Sequence, residues 1–117
     1  MIKSVVPKLP FIDIDKTKDY YLNKLEFKLV NEYPDYLIMQ KDDIELHFFS
    51  FLSLNPKKSD FMIYLRIDEG IESFYDWLQE KGVDIHPNGK LTNQPWHQKE
   101  FALLDPNGTL LTFGQVI

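Results

Sequence analysis

The chain has 117 residues, 44% of them hydrophobic, a net charge of −5 and no cysteine. That is one domain with enough apolar residues for a core, and the lack of thiols excludes disulfides, thiolate zinc sites and cysteine nucleophiles together. Dispersed acidic charge argues against nucleic acid as a partner and favours a cationic ligand, while no run nears the ~20 apolar residues of a membrane span and Met1–Leu9 lacks a signal-peptide core, so a cytoplasmic protein with no membrane partner is expected.

In chain order, Val5–Ile12 reads as a strand that Pro7 and Pro10 confine to an edge or to a crossing onto a neighbour. Asp13 and Asp15 are N-cap candidates for a helix over Lys16–Lys24, with Thr17, Tyr20, Tyr21 and Leu25 on its inward face. Phe27–Tyr33 is a strand, Tyr33-Pro34-Asp35 a turn, and Tyr36–Lys41 with Ile44–Phe51 a hairpin tipped by Asp42-Asp43. Leu52–Asp60 has no periodicity and reads as the loop between two halves. Phe61–Ile67 is the next strand. Ile71, Phe74, Tyr75 and Leu78 then fall at i, i+3, i+4 and i+7, an amphipathic helix that Gly82 stops in the left-handed conformation. A short strand around Val83–Ile85 and a polar loop Asn88–Gln94 lead to a last hairpin. Its strands flank the turn Asp105-Pro106-Asn107-Gly108, where Pro presets φ and Gly accepts a positive φ.

The elements spell βαβββ twice, and the halves echo each other: Phe11-Ile12-Asp13 matches Arg66-Ile67-Asp68, and each half ends in a hairpin whose last strand finishes on phenylalanine. The expected fold is therefore α+β, one domain of two tandem βαβββ modules, about residues 1–52 and 60–117. Strand alternation assigns the faces. Ile44, Leu46 and Phe48 face a core, as do Ile63, Leu65 and Ile67; Glu45, His47, Phe49 and Phe51 face the opposite way, with Met62, Tyr64 and Arg66. Leu110, Thr112 and Gly114 line the closing strand, and Trp96 and Tyr36 sit near the rim. No Gly-x-Ser-x-Gly elbow or phosphate loop is present, the three histidines His47, His86 and His97 have no metal-helix spacing, and the carboxylates Glu45 and Glu100 form no pair with a reason for shifted pKa values.

Several segments together carry a family likeness. Val6-Pro7-Lys8-Leu9-Pro10 with Asp13-x-Asp15-x-Thr17 and Tyr20-Tyr21, then Asp43–Phe49, Tyr64–Asp68 and Trp96–Phe113, resemble the bleomycin-resistance proteins of the vicinal oxygen chelate (glyoxalase) superfamily over nearly the full chain. Two departures stand out: Glu26 and His97 occupy places where the family often has glycine. The resemblance implies a crevice between two subunits of a homodimer, with the proline-bearing first segment exchanged, in which a glycopeptide antibiotic is held without chemical change. It implies stacking on Trp96, Phe49 and Tyr36, a charged contact from Glu45, and a lining completed by His47, Tyr64, Arg66 and Thr112. Enzymes of the superfamily hold a divalent ion at matched strand positions. Here these fall on Val6, on Met62 or Phe61, on Thr112, and on Glu45 or His47, so no metal and no cofactor is expected. The competing expectation is a lyase or dioxygenase with an atypical ion site around His47 and Glu45. If instead the crevice is vestigial, Trp96 and Phe49 should be packed against protein.

Overall fold

The computed structural model describes residues 1–117 and arranges them as two four-stranded sheets. The first half contains β1 (Lys8–Phe11), α1 (Ile14–Lys18), β2 (Lys28–Tyr33), β3 (Tyr36–Lys41) and β4 (Ile44–Ser50). The second contains β5 (Met62–Arg66), α2 (Ile71–Glu80), β6 (Thr92–Asn93), β7 (Gln98–Leu104) and β8 (Leu110–Val116). Strand orders are β1-β4-β3-β2 and β5-β8-β7-β6, so in each sheet the first strand lies parallel to the last and the other pairs are antiparallel. This is the repeated βαβββ arrangement, α+β as expected, and β1 is an edge strand, where its one proline, Pro10, leaves no ladder donor missing.

Asp13 caps α1, its carboxylate accepting from Lys16 N at 2.9 Å. Beyond Lys18 the helix widens into a π-helical stretch, Asp19–Lys24, in which Leu25 N donates to Tyr20 O at 3.1 Å, and past the left-handed Glu26 the end is closed by Phe27 N donating to Tyr21 O at 2.8 Å. The adjacent Tyr20 and Tyr21 are both buried on one broad inward face. Thr17 and Leu25 are buried with them, completing the predicted inward face. In the second helix Ile71 and Leu78 are fully buried, with Phe74 and Tyr75 packed beside them.

Three expectations need correction. No strand forms over Val83–Ile85; the segment after α2 is tied to β7 by single bonds, His86 N to Ala102 O and Ala102 N to Gly89 O, both 2.9 Å, and the extra strand is the two-residue β6 inside the expected loop. The echo of Phe11-Ile12-Asp13 in Arg66-Ile67-Asp68 is out of structural register, because the helix caps are Asp13 and Gly70, and Phe11 is buried while Arg66 faces outward. Ile44, assigned to the core face, is exposed at the end of its strand.

One cluster of 17 buried residues runs through both halves. Tyr21 packs on Phe48 with ring centroids 4.8 Å apart under the first sheet, and Phe74 lies against Phe101 and Phe113 at 5.9 and 5.4 Å under the second. The Asp105–Gly108 turn joins the halves. Asp105 accepts from Asn107 N and Thr109 N through one oxygen, at 2.8 and 2.9 Å, and from the Tyr21 hydroxyl through the other at 2.6 Å. Buried Asn107 accepts from Ile12 N at 2.8 Å and donates to the Thr17 hydroxyl at 3.1 Å. Gly108 has φ 79° and presses against Pro56, so a Cβ would lie 2.1 Å from the Pro56 carbonyl oxygen.

Candidate functional site

With helices covering one face of each sheet, the other face of each is left open, and the eight predicted site residues all lie on these open faces or at their rim. On the first sheet, register places Lys8, His47 and Ile38 in one row and Pro10, Phe49 and Tyr36 in the next. The Tyr36 hydroxyl and His47 Nδ1 are 2.7 Å apart, and His47 Nε2 lies 2.6 Å from Glu45 Oε2. In the neutral tautomer with its hydrogen on Nε2, the ring donates to Glu45 and Nδ1 accepts from Tyr36. The Lys8 ammonium stands 5.5 Å from the Tyr36 ring centroid. Phe49 is half-buried against Phe51 and Phe61 where the two halves meet.

The open face of the second sheet is built differently. Met62, Leu110 and Leu104 form an apolar row at one end, followed by Tyr64, Thr112 and Ala102, then Arg66, Gly114 and Glu100. Gly114 has no side chain because the Tyr64 ring lies across it; a Cβ there would be 1.7 Å from the phenol oxygen. The Tyr64 hydroxyl donates to Glu100 Oε2 at 2.8 Å, and the Trp96 indole Nε1 donates to the same oxygen at 2.8 Å. Burial, and second the Glu100 carboxylate, hold the Tyr64 phenol above its ordinary pKa. Arg66 bonds Gln98 and places its guanidinium 5.3 Å from the Tyr64 centroid. Trp96 is 59% exposed, neither core filler nor packed away.

The predicted residues thus gather as two clusters, Tyr36–Glu45–His47 with Phe49, and Tyr64–Arg66–Trp96 with Thr112; no hydrogen bond, ion pair or ring contact joins one to the other. Glu100, absent from the predicted lining, is the hub of the second, and Gln98 belongs with it. The signal was available: across the hairpin Glu100 is the register partner of Gly114, two residues from Thr112, and so shares its face. Two shallow, open surface depressions lie elsewhere, one beside α1 at Asp15, Lys16, Asp19, Tyr20, Lys24 and Pro106, the other at Glu72, Leu91, Thr92, Asn93 and Lys99.

Both positions where the family's glycine is replaced take left-handed backbone, Glu26 with φ 60° and His97 with φ 63°. At Glu26 the side chain is used: it accepts from Lys81 Nζ at 2.7 Å, and that contact holds the carboxyl below its ordinary pKa. At His97 the strained residue ends the turn that presents Trp96, with His97 N donating to Gln94 O at 3.1 Å and Ile117 N to His97 O at 3.0 Å.

The donor set does not fit the divalent ion of the superfamily's enzymes. Val6 and Met62 offer no hard or borderline donor, Thr112 offers a neutral hydroxyl, and both His47 nitrogens are engaged by Glu45 and Tyr36. No three His, Cys, Asp or Glu side chains converge anywhere in the chain.

Comparison with known proteins identifies relatives in family and fold. Residues 3–113 match the family model described as the Glyoxalase/Bleomycin resistance protein/Dioxygenase superfamily. A bleomycin resistance protein of Klebsiella pneumoniae is 33% identical over 116 residues, covering 95% of this chain and 90% of that protein. The crystal structure of the bleomycin resistance determinant encoded on transposon Tn5 superposes with a TM-score of 0.87 at 32% identity, covering 98% of both chains. A bleomycin-binding protein solved in complex with bleomycin gives a TM-score of 0.85 at 32% identity, covering 99% of this chain and 100% of that one.

Proposed function

The chain belongs to the Glyoxalase/Bleomycin resistance protein/Dioxygenase superfamily, and on that premise we propose that it binds a bleomycin-type glycopeptide antibiotic and sequesters it, making and breaking no bond in the drug. One observation carries this reading: Trp96 presents an exposed indole whose position is fixed by its hydrogen bond to Glu100, with the Tyr64 ring bonded to the same oxygen. Exposing a large aromatic surface to water is unfavourable, and fixing it in one orientation as well suits a surface meant to be covered by a flat ligand. The net charge of −5 adds an attractive field for a cationic drug.

In this reading residues 1–52 and 60–117 are the two modules of one domain, and the crevice is completed by a second copy. The open faces support it. Met62, Tyr64, Trp96, Leu104 and Val116 are all exposed around the second sheet, apolar side chains that a second copy would cover. A homodimer would set the aromatic cluster of Phe49 and Tyr36, with Glu45 and His47, opposite that of Trp96 and Tyr64, flanked by Arg66 and Thr112. β1 is paired with β4 of its own chain, so any exchanged arm is Met1–Pro7, which lies ahead of it with exposed Met1, Ile2 and Val5. No helix is long and apolar enough to cross a membrane, and a cytoplasmic site of action fits sequestration of a drug that has entered the cell.

The test is a fluorescence titration with metal-free and copper-loaded bleomycin, paired with sedimentation to count subunits. Saturable quenching at about one drug per crevice, lost in Trp96→Ala and kept in Trp77→Phe, is the expected result. A wild-type signal flat to millimolar drug overturns the proposal.

A further inference from the structure

Glu100 is nine-tenths buried, yet it stands on the open face of its sheet, opposite Gly114 on one side and Thr92 on the other. What covers it is the pair of rings it holds. A buried carboxylate is costly unless a cation or several donors compensate it. None of the chain's four ion pairs involves Glu100; Arg66, across the sheet from it, bonds Gln98 instead. Its side-chain partners are two neutral donors, the Tyr64 hydroxyl and the Trp96 indole, and both meet at Oε2. An apolar residue at this place would serve stability as well, so the carboxylate is explained by what it orients.

We propose that Glu100 is the positioning residue of the ligand face, presetting the Trp96 and Tyr64 rings before a ligand arrives. Three features of the site agree. Gly114 leaves room for Tyr64 to lie flat across the sheet and reach the carboxylate. The Arg66 guanidinium lies over that ring, 5.3 Å from its centroid. The turn bearing Trp96 is closed by His97 in left-handed backbone, which fixes the main chain but not the indole. The indole's one hydrogen bond is the one to Glu100. A ligand stacking there then avoids the cost of freezing two mobile side chains, worth about tenfold in affinity.

The proposal rests on the binding reading above, and its test separates the two. In protein carrying 15N-tryptophan, the two indole N–H signals are assigned with Trp77→Phe. The Trp96 signal should be shifted downfield, protected from exchange with water, and responsive to protonation of a carboxylate. In Glu100→Ala it should move to the position of a free indole and exchange rapidly, with bleomycin binding weakened about tenfold, while the Trp77 signal stays in place and reports an intact fold. Glu100→Gln keeps an acceptor oxygen and should restore most of the shift and affinity but not the pH response. An unchanged Trp96 signal in Glu100→Ala overturns the proposal, whatever happens to affinity. If that variant fails to fold, the wild-type titration decides: a Trp96 shift following carboxylate protonation supports it and a flat one overturns it. Failure of the wild type to bind bleomycin would remove the binding reading, and the ligand-free spectra would still decide the role of Glu100.

Discussion

Replacing Asp105 by alanine tests whether the Asp105–Gly108 turn is the joint between the two halves. Its carboxylate accepts three hydrogen bonds in a buried setting, from Tyr21, Asn107 and Thr109. Alanine leaves all three donors without a partner, at about 1–2 kcal/mol each. Relief from burying a charge offsets part of this, so the expected net loss is about 3 kcal/mol, a large share of the 5–15 kcal/mol typical of a domain. With an m-value of about 2 kcal/mol/M, the urea midpoint should fall by roughly 1.5 M, followed in parallel by far-ultraviolet circular dichroism and tryptophan fluorescence. Asp105→Asn keeps an acceptor for the two backbone N–H groups and should lose less than half as much. A midpoint shift below about 0.5 M in Asp105→Ala, with an unchanged m-value, would refute the reasoning: the turn would then be a surface hairpin with replaceable contacts.

The same residue makes a prediction about pH. Burial raises the Asp105 pKa above 3.8, outweighing the hydrogen bonds from Tyr21, Thr109 and Asn107 that pull it down. The folded state therefore holds the proton more tightly than the unfolded one, so this contribution to stability is whole below 3.8 and declines as pH rises through the higher folded value; denaturation series from pH 3 upward should show that decline flattened in Asp105→Asn. His97→Gly removes a side chain from left-handed backbone and should raise stability by up to about 1 kcal/mol, seen as a higher Tm; a lower Tm would mean that the imidazole makes a compensating contact. Gly114→Ala should displace Tyr64 from Glu100 without unfolding the chain, because the clash falls on the far end of a side chain, and bleomycin titration of the folded variant should show weakened binding. Gly108→Ala meets backbone at Pro56 and a positive φ together, and thermal melting should show a loss of at least about 1 kcal/mol.

Much of the fold was legible because one face of each sheet is buried and alternation reports it. Leu46, Phe48, Leu111 and Phe113 were separable from Glu45, His47, Thr112 and Gly114 by parity alone. Where burial gave no pattern, reading failed: β6 is exposed and polar, whereas Val83 and Ile85 alternate like a strand because they pack against the core. The π-helical widening had no local signal beyond two adjacent tyrosines. The turn after β7 was plain as a turn, but its partners Tyr21, Ile12 and Thr17 lie 84, 95 and 90 residues away, beyond any rule based on neighbours. The candidate site was readable by face and not by connection. Glu100 shares the face of Thr112, yet only the convergence of Tyr64 and Trp96 on one oxygen marks it as the hub.

The distances in sequence spanned by that turn also order events during synthesis. A ribosome releases Ile12, Thr17 and Tyr21 long before it has made Asp105 and Asn107. Until the Asp105–Gly108 turn emerges, the amide of Ile12 and the hydroxyl of Tyr21 lack the partners they have in the folded chain. The first half therefore lacks part of its buried hydrogen bonding until the C-terminal hairpin arrives. Two look-alike halves need not be two independent folding units: a gene cut between them would yield one fragment without its plug and another without its socket.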